Sequence, residues 1–234
     1  MTPSNPTALE SFDLARFNMI EQQIRPWEVL DARVLALLGE VLREEFVPQA
    51  HRALAFADME LPLTHPAVDG QVMLAPRVEA RLLQNLSIKP SDKVLEVGTG
   101  SGHMAALLAG LAQQVVSLEI DEGLASTARD NLQRAGMANA SVRVADATAQ
   151  DFAACRSEAP WDVILLSGSV AEVPSALLAL LAPSGRLATI VGQEPMMRAT
   201  LITRTGDATY ATAQPWDTVA PRLCHFPELS RFRF

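Results

Sequence analysis

The sequence is poor in cysteine and histidine, and it has no long apolar run. Its two cysteines, Cys155 and Cys224, lie far apart without Cys-x-x-Cys spacing, so neither a disulfide framework nor a metal site is expected. The four histidines are scattered and form no ligand motif, which also predicts a protein without a metal. No apolar run approaches the ~20 residues of a membrane-spanning helix, so we expect no membrane association. The N-terminus has neither a basic region nor an apolar stretch of the secretory kind, which favours a cytoplasmic location.

Positive charge is also in short supply. Lys and Arg number 19 against 27 Asp and Glu, a formal net charge of −8, so attraction to nucleic acid is not expected. Hydrophobic residues make up 49% and charged residues 20%, which is typical of a globular chain rather than a disordered one. The 234 residues are enough for a sizeable core.

The chain is predicted to be one domain with a short tail. Residues 1–11 are rich in Pro, Ser, Thr and Asn and predict a flexible tail. Residues 12–234 are predicted to form a single domain. In it, residues 12–90 would be an N-terminal helical cover over the end of a sheet formed by residues 91–234.

The N-terminal part shows helical periodicity interrupted by a proline-containing loop. Apolar spacing predicts helices at residues 12–23, 31–42 and 75–86, and Asp31 is placed to be an N-cap. Residues 47–72 show little periodicity and predict an ordered loop.

Beyond Lys89, short apolar runs alternate with helical patterns. Because these runs are continuous rather than alternating, they predict a mostly parallel sheet covered by helices on both faces. Two further strands without a helix between them predict an antiparallel pair at the sheet edge, which gives seven strands in all. The predicted strands are 93–97, 115–120, 141–145, 161–166, 186–191, 199–204 and 219–225, and the predicted helices are 103–112, 122–135 and 174–181.

The strongest motif is a glycine-rich turn between a strand and a helix, Val94-Leu-Glu-Val-Gly98-Thr-Gly100-Ser-Gly102. Glycines at every second position let the backbone turn sharply and let a ligand approach closely. Such a loop alone is shared by many nucleotide-binding proteins. A mere tight turn would not need glycine at every second position.

The charge of the residues near this loop indicates which ligand it binds, S-adenosylmethionine (SAM) or a dinucleotide. A dinucleotide places its pyrophosphate at the helix N-terminus, and a carboxylate at Glu96, two residues before Gly98, would repel it. SAM instead carries an ammonium and a sulfonium group. The third glycine also stands at Gly102, whereas the dinucleotide motif would place it at position 103. Both points favour SAM, with S-adenosylhomocysteine as the product.

Two further acids follow successive strands, at the sheet edge where ligands bind. Glu119 ends the second strand and is expected to accept hydrogen bonds from the ribose hydroxyls. Asp146 ends the third strand and is expected to meet the adenine amino group. The predicted cofactor-binding residues are Glu96, Gly98, Thr99, Gly100, Ser101, Gly102, Glu119, Ile120, Asp146 and Ala147.

From about Phe17 to Gly192 the sequence resembles the protein-L-isoaspartate (D-aspartate) O-methyltransferase family. The resemblance implies a Rossmann-like class I SAM-dependent fold and methyl transfer to the side-chain carboxylate of isomerised aspartyl residues in damaged protein. It also implies a protein or peptide substrate; nothing in the sequence specifies an oligomeric state. The segments that carry the resemblance are Met19–Arg25, Arg43–Pro48, Ala55–Asp58 with Leu61–Leu63, Val94–Gly102, Glu172–Pro174 and Leu180–Arg186.

The sequence departs from the family in two places. Where the family has Gln-Thr-Ile-Ser-Gln-Pro, this chain reads Gln71-Val-Met-Leu-Ala-Pro76, so Leu74 stands in place of a serine that in the family lies beside the methyl group and substrate. The stretch Leu223-Cys-His-Phe-Pro-Glu-Leu also differs from the family's Val-Pro-Leu type of final strand. No catalytic residue is assigned, and the candidates for the acceptor pocket are Val72, Met73, Leu74, His103 and Ser167.

Three hypotheses for the function remain at this level. The first is an isoaspartyl-type protein methyltransferase. The second is a methyltransferase of the same family with a different, less polar acceptor, which the apolar stretch 72–75 motivates. The third is a SAM-binding regulatory module without turnover.

Overall fold

The computed structural model describes residues 8–228 of the 234-residue chain. Its α-helices are α1 (Ala8–Met19), α2 (Ala32–Glu40), α3 (Pro76–Leu86), α4 (His103–Ala109), α5 (Glu122–Arg134), α6 (Ala149–Arg156) and α7 (Ser175–Leu178). A π-helical turn, Ile20–Ile24, extends α1, and short 3-10 segments occupy Arg25–Trp27, Arg43–Glu45 and Gln49–Leu54.

The strands are β1 (Leu61–Pro62), β2 (Val72–Met73), β3 (Lys93–Val97), β4 (Gln114–Glu119), β5 (Ala140–Val144), β6 (Trp161–Val170), β7 (Leu181–Gln193), β8 (Met196–Gly206) and β9 (Thr209–Asp217). Strands β1 and β2 form a small antiparallel pair. The main sheet has seven strands in the order β5-β4-β3-β6-β7-β8-β9. Strands β3 to β7 are parallel and β8 and β9 antiparallel, which confirms the predicted sheet.

The central strands are buried on both faces because successive side chains point to opposite sides. Val94 of β3 belongs to a core that includes α2, α3, α4 and part of α5. Its neighbour Leu95 belongs to a second core on the other face, with Phe152 of α6 and Leu177 of α7. Helices therefore cover both faces of the sheet, and the continuous apolar runs in the sequence follow from this double burial.

The N-terminal helices pack into the first of these cores. Asp31 caps α2 as predicted, because its carboxylate accepts from the backbone N–H groups of Arg33 (2.8 Å) and Val34 (3.4 Å). Arg186 of β7 links α3 to the sheet by donating to the Leu86 carbonyl at 2.7 Å. None of the helices within residues 8–228 combines the length and apolar character needed to cross a bilayer.

The structure corrects the predicted C-terminal strand. Residues 219–225 are not a strand of the sheet; within residues 8–228 the last strand is β9, which pairs with β8 through a hairpin. Strand β9 alternates small and polar residues and is mostly exposed, so its sequence carries little apolar signal.

The helices also differ from the prediction in two places. Helix α6 was not predicted, and the helix predicted at residues 174–181 is reduced to α7. Of the predicted tail, residues 1–7 lie outside the described residues, and α1 begins at Ala8.

Candidate active site

The glycine loop joins β3 to α4 and follows the geometry that its sequence predicts. Gly98, Gly100 and Gly102 all have positive φ, at 92°, 54° and 86°. A Cβ at Gly102 would lie 3.2–3.3 Å from the Ala128 backbone, so glycine lets α4 begin directly against α5. A Cβ at Gly98 would lie 3.0 Å from the Leu223 side chain. The loop is therefore a bare-backbone cradle at the carboxyl end of the sheet.

Two other loop residues support the cradle from behind. Thr99 and Ser101 are buried. The Thr99 hydroxyl lies 2.5 Å from the Ser117 hydroxyl, and the Ser101 carbonyl accepts from Asn131 of α5 at 2.8 Å. Their polar groups thus hold the loop against β4 and α5.

Glu96 lies beneath the loop and is fully buried. Its two carboxyl oxygens accept from the hydroxyls of Ser117 (2.6 Å) and Ser167 (2.7 Å). Burial raises the pKa of Glu96 to about 8, although the two serine hydrogen bonds act in the opposite direction. In the chain without cofactor the carboxyl group is therefore mainly neutral at pH 7. The prediction from the sequence, that a charged Glu96 repels a pyrophosphate, is corrected in this respect. Ser167 is the polar group between Glu96 and the cleft.

Glu119 stands at the carboxyl end of β4, where it meets the cradle. One carboxyl oxygen accepts from the Gly100 backbone N–H at 2.8 Å, and the other accepts from the Asp121 N–H at 3.1 Å. Each oxygen has a second lone pair for a ligand hydroxyl. The two backbone bonds fix the carboxylate at the edge of the cleft.

Asp146 follows β5 and contacts the C-terminal segment (residues 221–226). One of its oxygens accepts from the Thr148 N–H (2.9 Å) and hydroxyl (2.8 Å), and the other lies 2.6 Å from Nδ1 of His225. Burial acts to raise the pKa of Asp146, but the bonds from His225 and Thr148 outweigh it, so the pKa is lowered. Asp146 is therefore ionised at neutral pH and carries negative charge at the cleft.

The main cleft runs along the carboxyl ends of β3, β4 and β5. It brings together six of the ten predicted cofactor-binding residues: Gly98, Gly100, Glu119, Ile120, Asp146 and Ala147. Leu63, directly after β1, and Val72 of β2 also border it. The C-terminal segment borders it as well, held by hydrogen bonds between Ser169 and the backbone of Pro221 and Leu223 (2.8 and 2.9 Å). Sequence reasoning did not assign the C-terminal segment to the site, and its departure from the family pattern was the only signal.

A small inner cavity adjoins the main cleft behind the loop. All five acceptor-pocket candidates line it: Val72, Met73, Leu74, His103 and Ser167. Val72 and Ser167 also line the main cleft, so the two spaces meet between these residues. Leu74 is buried, and its carbonyl oxygen accepts from Nη2 of Arg43 at 2.7 Å. The structure thus brings together the candidates predicted from the sequence.

A buried ionic cluster closes the inner cavity. Arg43 pairs with Glu79 of α3, and Nδ1 of His103 lies 3.0 Å from the same Glu79 oxygen. Burial acts to raise the pKa of Glu79, but Arg43 and His103 outweigh it and the pKa is lowered. Burial lowers the pKa of His103 in spite of the nearby Glu79, which favours the neutral imidazole. Sequence reasoning missed this cluster because Glu79 reads as an ordinary polar residue of a helix.

The described part of the chain holds no group of three or more His, Cys, Asp or Glu side chains arranged to bind a metal ion. What the site does provide is a bare-backbone cradle, two carboxylates at the ends of β4 and β5, and an apolar border. This set suits a ligand with a ribose, an adenine-like ring and no phosphate at the loop.

Comparison with known families gives an extensive match. Residues 15–219 match the family model described as protein-L-isoaspartate(D-aspartate) O-methyltransferase. A relative from Koribacter versatilis named protein-L-isoaspartate O-methyltransferase is 40% identical over 196 residues, which cover 84% of each chain. A relative of the same name from Methanoculleus marisnigri is 41% identical over 177 residues, covering 76% of this chain and 77% of the relative.

Solved structures give the same fold. A Plasmodium falciparum protein crystallised with S-adenosyl-L-homocysteine, and described as a protein-L-isoaspartate O-methyltransferase, superposes with a TM-score of 0.73 at 19% identity. The superposition covers 90% of this chain and 98% of that one. At this identity the likeness concerns the fold.

Proposed function

The chain belongs to the protein-L-isoaspartate(D-aspartate) O-methyltransferase family and is a SAM-dependent methyltransferase, and from this premise we propose that it methylates isomerised aspartyl residues. The acceptor would be the side-chain carboxylate of such a residue in a damaged protein or peptide. The observation that carries the proposal is the match over residues 15–219, which includes both the glycine loop and the border of the inner cavity.

The residues of the main cleft fit the cofactor. Ribose hydroxyls can donate to Glu119, whose two oxygens each hold one backbone bond and retain a lone pair. The adenine amino group can donate to Asp146 by sharing or replacing the contact with His225. Gly98 and Gly100 line the cleft, so the methionine part can contact the loop backbone there. Glu96 would act through Ser167 rather than by direct contact.

The chemistry needs little from the protein besides positioning. A carboxylate acceptor is already ionised at neutral pH, with an ordinary pKa of about 4, and bound SAM supplies a methyl group activated by its sulfonium. The chain's own residues have to align the two reactants and exclude water. Val72 and Ser167, where the cleft and the inner cavity meet, are the side chains that we propose border the reacting groups.

Leu74 is the residue that sets this chain apart. Its side chain is buried and offers no hydrogen bond, so a substrate carboxylate there would lack one charge-assisted partner. We expect the native protein to methylate an isoaspartyl peptide slowly. Leu74→Ser should raise the rate by about ten- to a hundred-fold, since one such bond contributes roughly 1.5–3 kcal/mol.

The experiment measures methyl transfer to an isoaspartyl peptide and to the same peptide with a normal aspartate. Leu74→Ala serves as the matched control because it creates space without a hydroxyl. A gain confined to Leu74→Ser and to the isoaspartyl peptide supports the proposal. No transfer by either the native protein or Leu74→Ser, with S-adenosylhomocysteine still bound in calorimetry, would exclude isoaspartate as the acceptor.

A second candidate keeps the reaction and changes the acceptor. Val72, Leu74 and Ala75 are apolar where the family has Thr, Ser and Gln. Val72 and Leu74 line the inner cavity together with Met73. These residues favour an acceptor with less polar surroundings than isoaspartate. Loss of isoaspartyl activity together with full cofactor binding would favour this candidate.

We also propose that residues 12–234 act as one domain in the cytoplasm. The support for one domain is that side chains of α2 and α3 share a core with β3, β6 and β7. The support for a reducing compartment is that Cys155 and Cys224 are both free thiols.

A further inference from the structure

A second concave surface lies beside the main cleft, between α3 and the β7–β8 hairpin. Two tryptophans and three arginines line it: Trp27, Arg77, Arg81, Arg198 and Trp216. We refer to this surface as the arginine groove. It is an unusual feature for a chain with a formal net charge of −8.

Two of the three arginines of the groove are held in place by stacking. The guanidinium of Arg77 lies 4.2 Å from the ring centre of Trp27, and that of Arg81 lies 4.7 Å from the ring centre of Trp216. Each cation thus rests on an aromatic face, a contact that fixes the plane of the guanidinium. Preorganised in this way, both arginines present donors to the groove with little entropy left to lose on binding.

The two stacked arginines also repel each other. They are four residues apart on α3, a spacing at which like charges destabilise a helix. Arg81 has only 14% of its side chain exposed. Burial lowers its pKa, Glu28 offsets part of this effect, and Arg77 adds to it. An anion in the groove would relieve both the repulsion and the loss of hydration.

The carboxylates nearby fill this need only in part. Arg77 meets Asp58 at 3.3 Å, and Asp58 is only 16% exposed. Arg81 meets Glu28 only at 3.8 Å, and Arg198 meets Asp217 at 3.0 Å; both of these acids are mostly exposed, at 85% and 76%. Among residues 8–228 no group accepts from the buried indole Nε1 of Trp216. Arg81 and the indole of Trp216 are thus the donors of the groove with the weakest partners.

One hydrogen bond links the wall of the groove to the wall of the main cleft. Gly192 lines the groove, and its carbonyl accepts from Nη2 of Arg222 at 2.8 Å. Arg222 in turn lines the main cleft. A peptide whose modified residue sits at the junction of cleft and inner cavity would reach the groove by passing Arg222.

We propose that the arginine groove binds an acidic stretch of the peptide acceptor, next to the residue that is methylated. This inference rests on the proposed function, because it takes the acceptor to be a peptide. Carboxylates of the flanking residues pair with Arg77, Arg81 and Arg198, and an adjacent apolar side chain packs on Trp27 or Trp216. Arginine and tryptophan are the residue types that dominate binding energy at such surfaces.

Tryptophan fluorescence tests binding without any turnover. Two of the three tryptophans line the groove and the third, Trp161, is fully buried, so a change on titration reports the groove. The probes are a glutamate-containing peptide without isoaspartate and its lysine counterpart. A saturable change with the glutamate peptide alone supports the proposal. A response to inorganic phosphate or to an oligonucleotide, but not to the peptide, would overturn it.

Kinetics tests whether the groove selects acceptors. Two isoaspartyl peptides are compared that differ only in flanking glutamates or glutamines. The native protein should show a KM about three- to ten-fold lower for the glutamate peptide, as expected for partly exposed ion pairs. Arg77→Gln and Arg198→Gln should each reduce this ratio with kcat little changed. Arg156→Gln, an exposed arginine of α6, is the matched control and should preserve it.

The outcomes separate this inference from the proposed function. If isoaspartyl peptides are methylated with equal KM whatever their flanks, the inference about the groove is wrong and the proposed function stands. A second outcome is that no isoaspartyl peptide is methylated, while the glutamate peptide still changes the fluorescence of the native protein and not that of Arg77→Gln. The arginine groove then stands as a site for acidic peptides, and the methyl acceptor is a different one.

Discussion

At the scale of single residues, the carboxyl groups around the cleft owe their different charge states to their surroundings. Glu96 is buried and accepts hydrogen bonds from two neutral hydroxyl groups, those of Ser117 and Ser167. Burial raises its pKa to about 8. Asp146 is less enclosed, and the bonds from His225 and Thr148 lower its pKa in spite of burial. One acid therefore holds the loop as a neutral hydrogen-bonding group, while the other offers charge to a ligand.

The raised pKa of Glu96 predicts a pH dependence of stability for the protein without cofactor. In the unfolded chain Glu96 loses its proton near pH 4.5, whereas in the folded chain it keeps the proton up to about pH 8. Between these values the folded state binds more protons, so the free energy of unfolding falls as pH rises, by at most about 1.4 kcal/mol per pH unit. Glu96→Gln, which mimics the neutral acid, should flatten this dependence in urea unfolding between pH 5 and 8.

The control for this measurement is Glu172→Gln, which removes an exposed carboxylate. The same slope in Glu96→Gln as in the native protein would show that Glu96 is ionised in the folded chain, and the account of the neutral acid would then fail.

At the scale of elements, the C-terminal segment is the part that completes the cleft. It is no strand of the sheet, yet its backbone bonds to Ser169 and its Leu223 side chain lies against Gly98 and Gly168. Phe226 anchors its end in the second core, with its ring centre 6.0 Å from that of Phe152.

Phe226→Ala should therefore affect stability and cofactor binding together. Removing a buried ring from a core costs about 3–5 kcal/mol, and Phe226 is only 5% exposed. The released segment would also leave one side of the main cleft open and weaken binding of S-adenosylhomocysteine. Urea unfolding and calorimetry measure the two effects. Phe17→Ala, at an exposed phenylalanine of α1, is the control; equal losses in both variants would contradict the anchoring role.

At the scale of the whole molecule, the N-terminal helices and the sheet share one core. Leu37 of α2 packs so closely on Gly110, after α4, that a Cβ there would lie 2.4 Å from its methyl group. Arg43 reaches across to Glu79 and His103 in the same way. The N-terminal helices thus pack directly on the part of the chain that carries the glycine loop.

A fragment of residues 89–234 should consequently fail to fold and to bind S-adenosylhomocysteine. It would expose the apolar face that α2 and α3 cover, and it would leave His103 without Glu79. Limited proteolysis and calorimetry on the intact chain and the fragment provide the measurement. A stable fragment beginning near Lys89 that binds the product would show that the cover is a separate unit.

The sequence by itself determined the sheet, the loop and the kind of cofactor. Continuous apolar runs, alternating glycines and acids at successive strand ends are local patterns, and each follows from backbone geometry within a few residues. The motifs from Arg43 to Pro48 and from Val94 to Gly102 were enough to indicate the family. Strand β9 and helix α6 were missed because their residues carry weak apolar periodicity.

Only the tertiary structure decided how the acids behave and what surrounds them. The charge state of Glu96 depends on burial beneath Ser117 and Ser167, which are 21 and 71 residues away in the chain. The arginine groove depends on Trp27 and Trp216 meeting two arginines of α3. Desolvation and stacking act through space between residues distant in sequence, so no pattern read along the chain contains them.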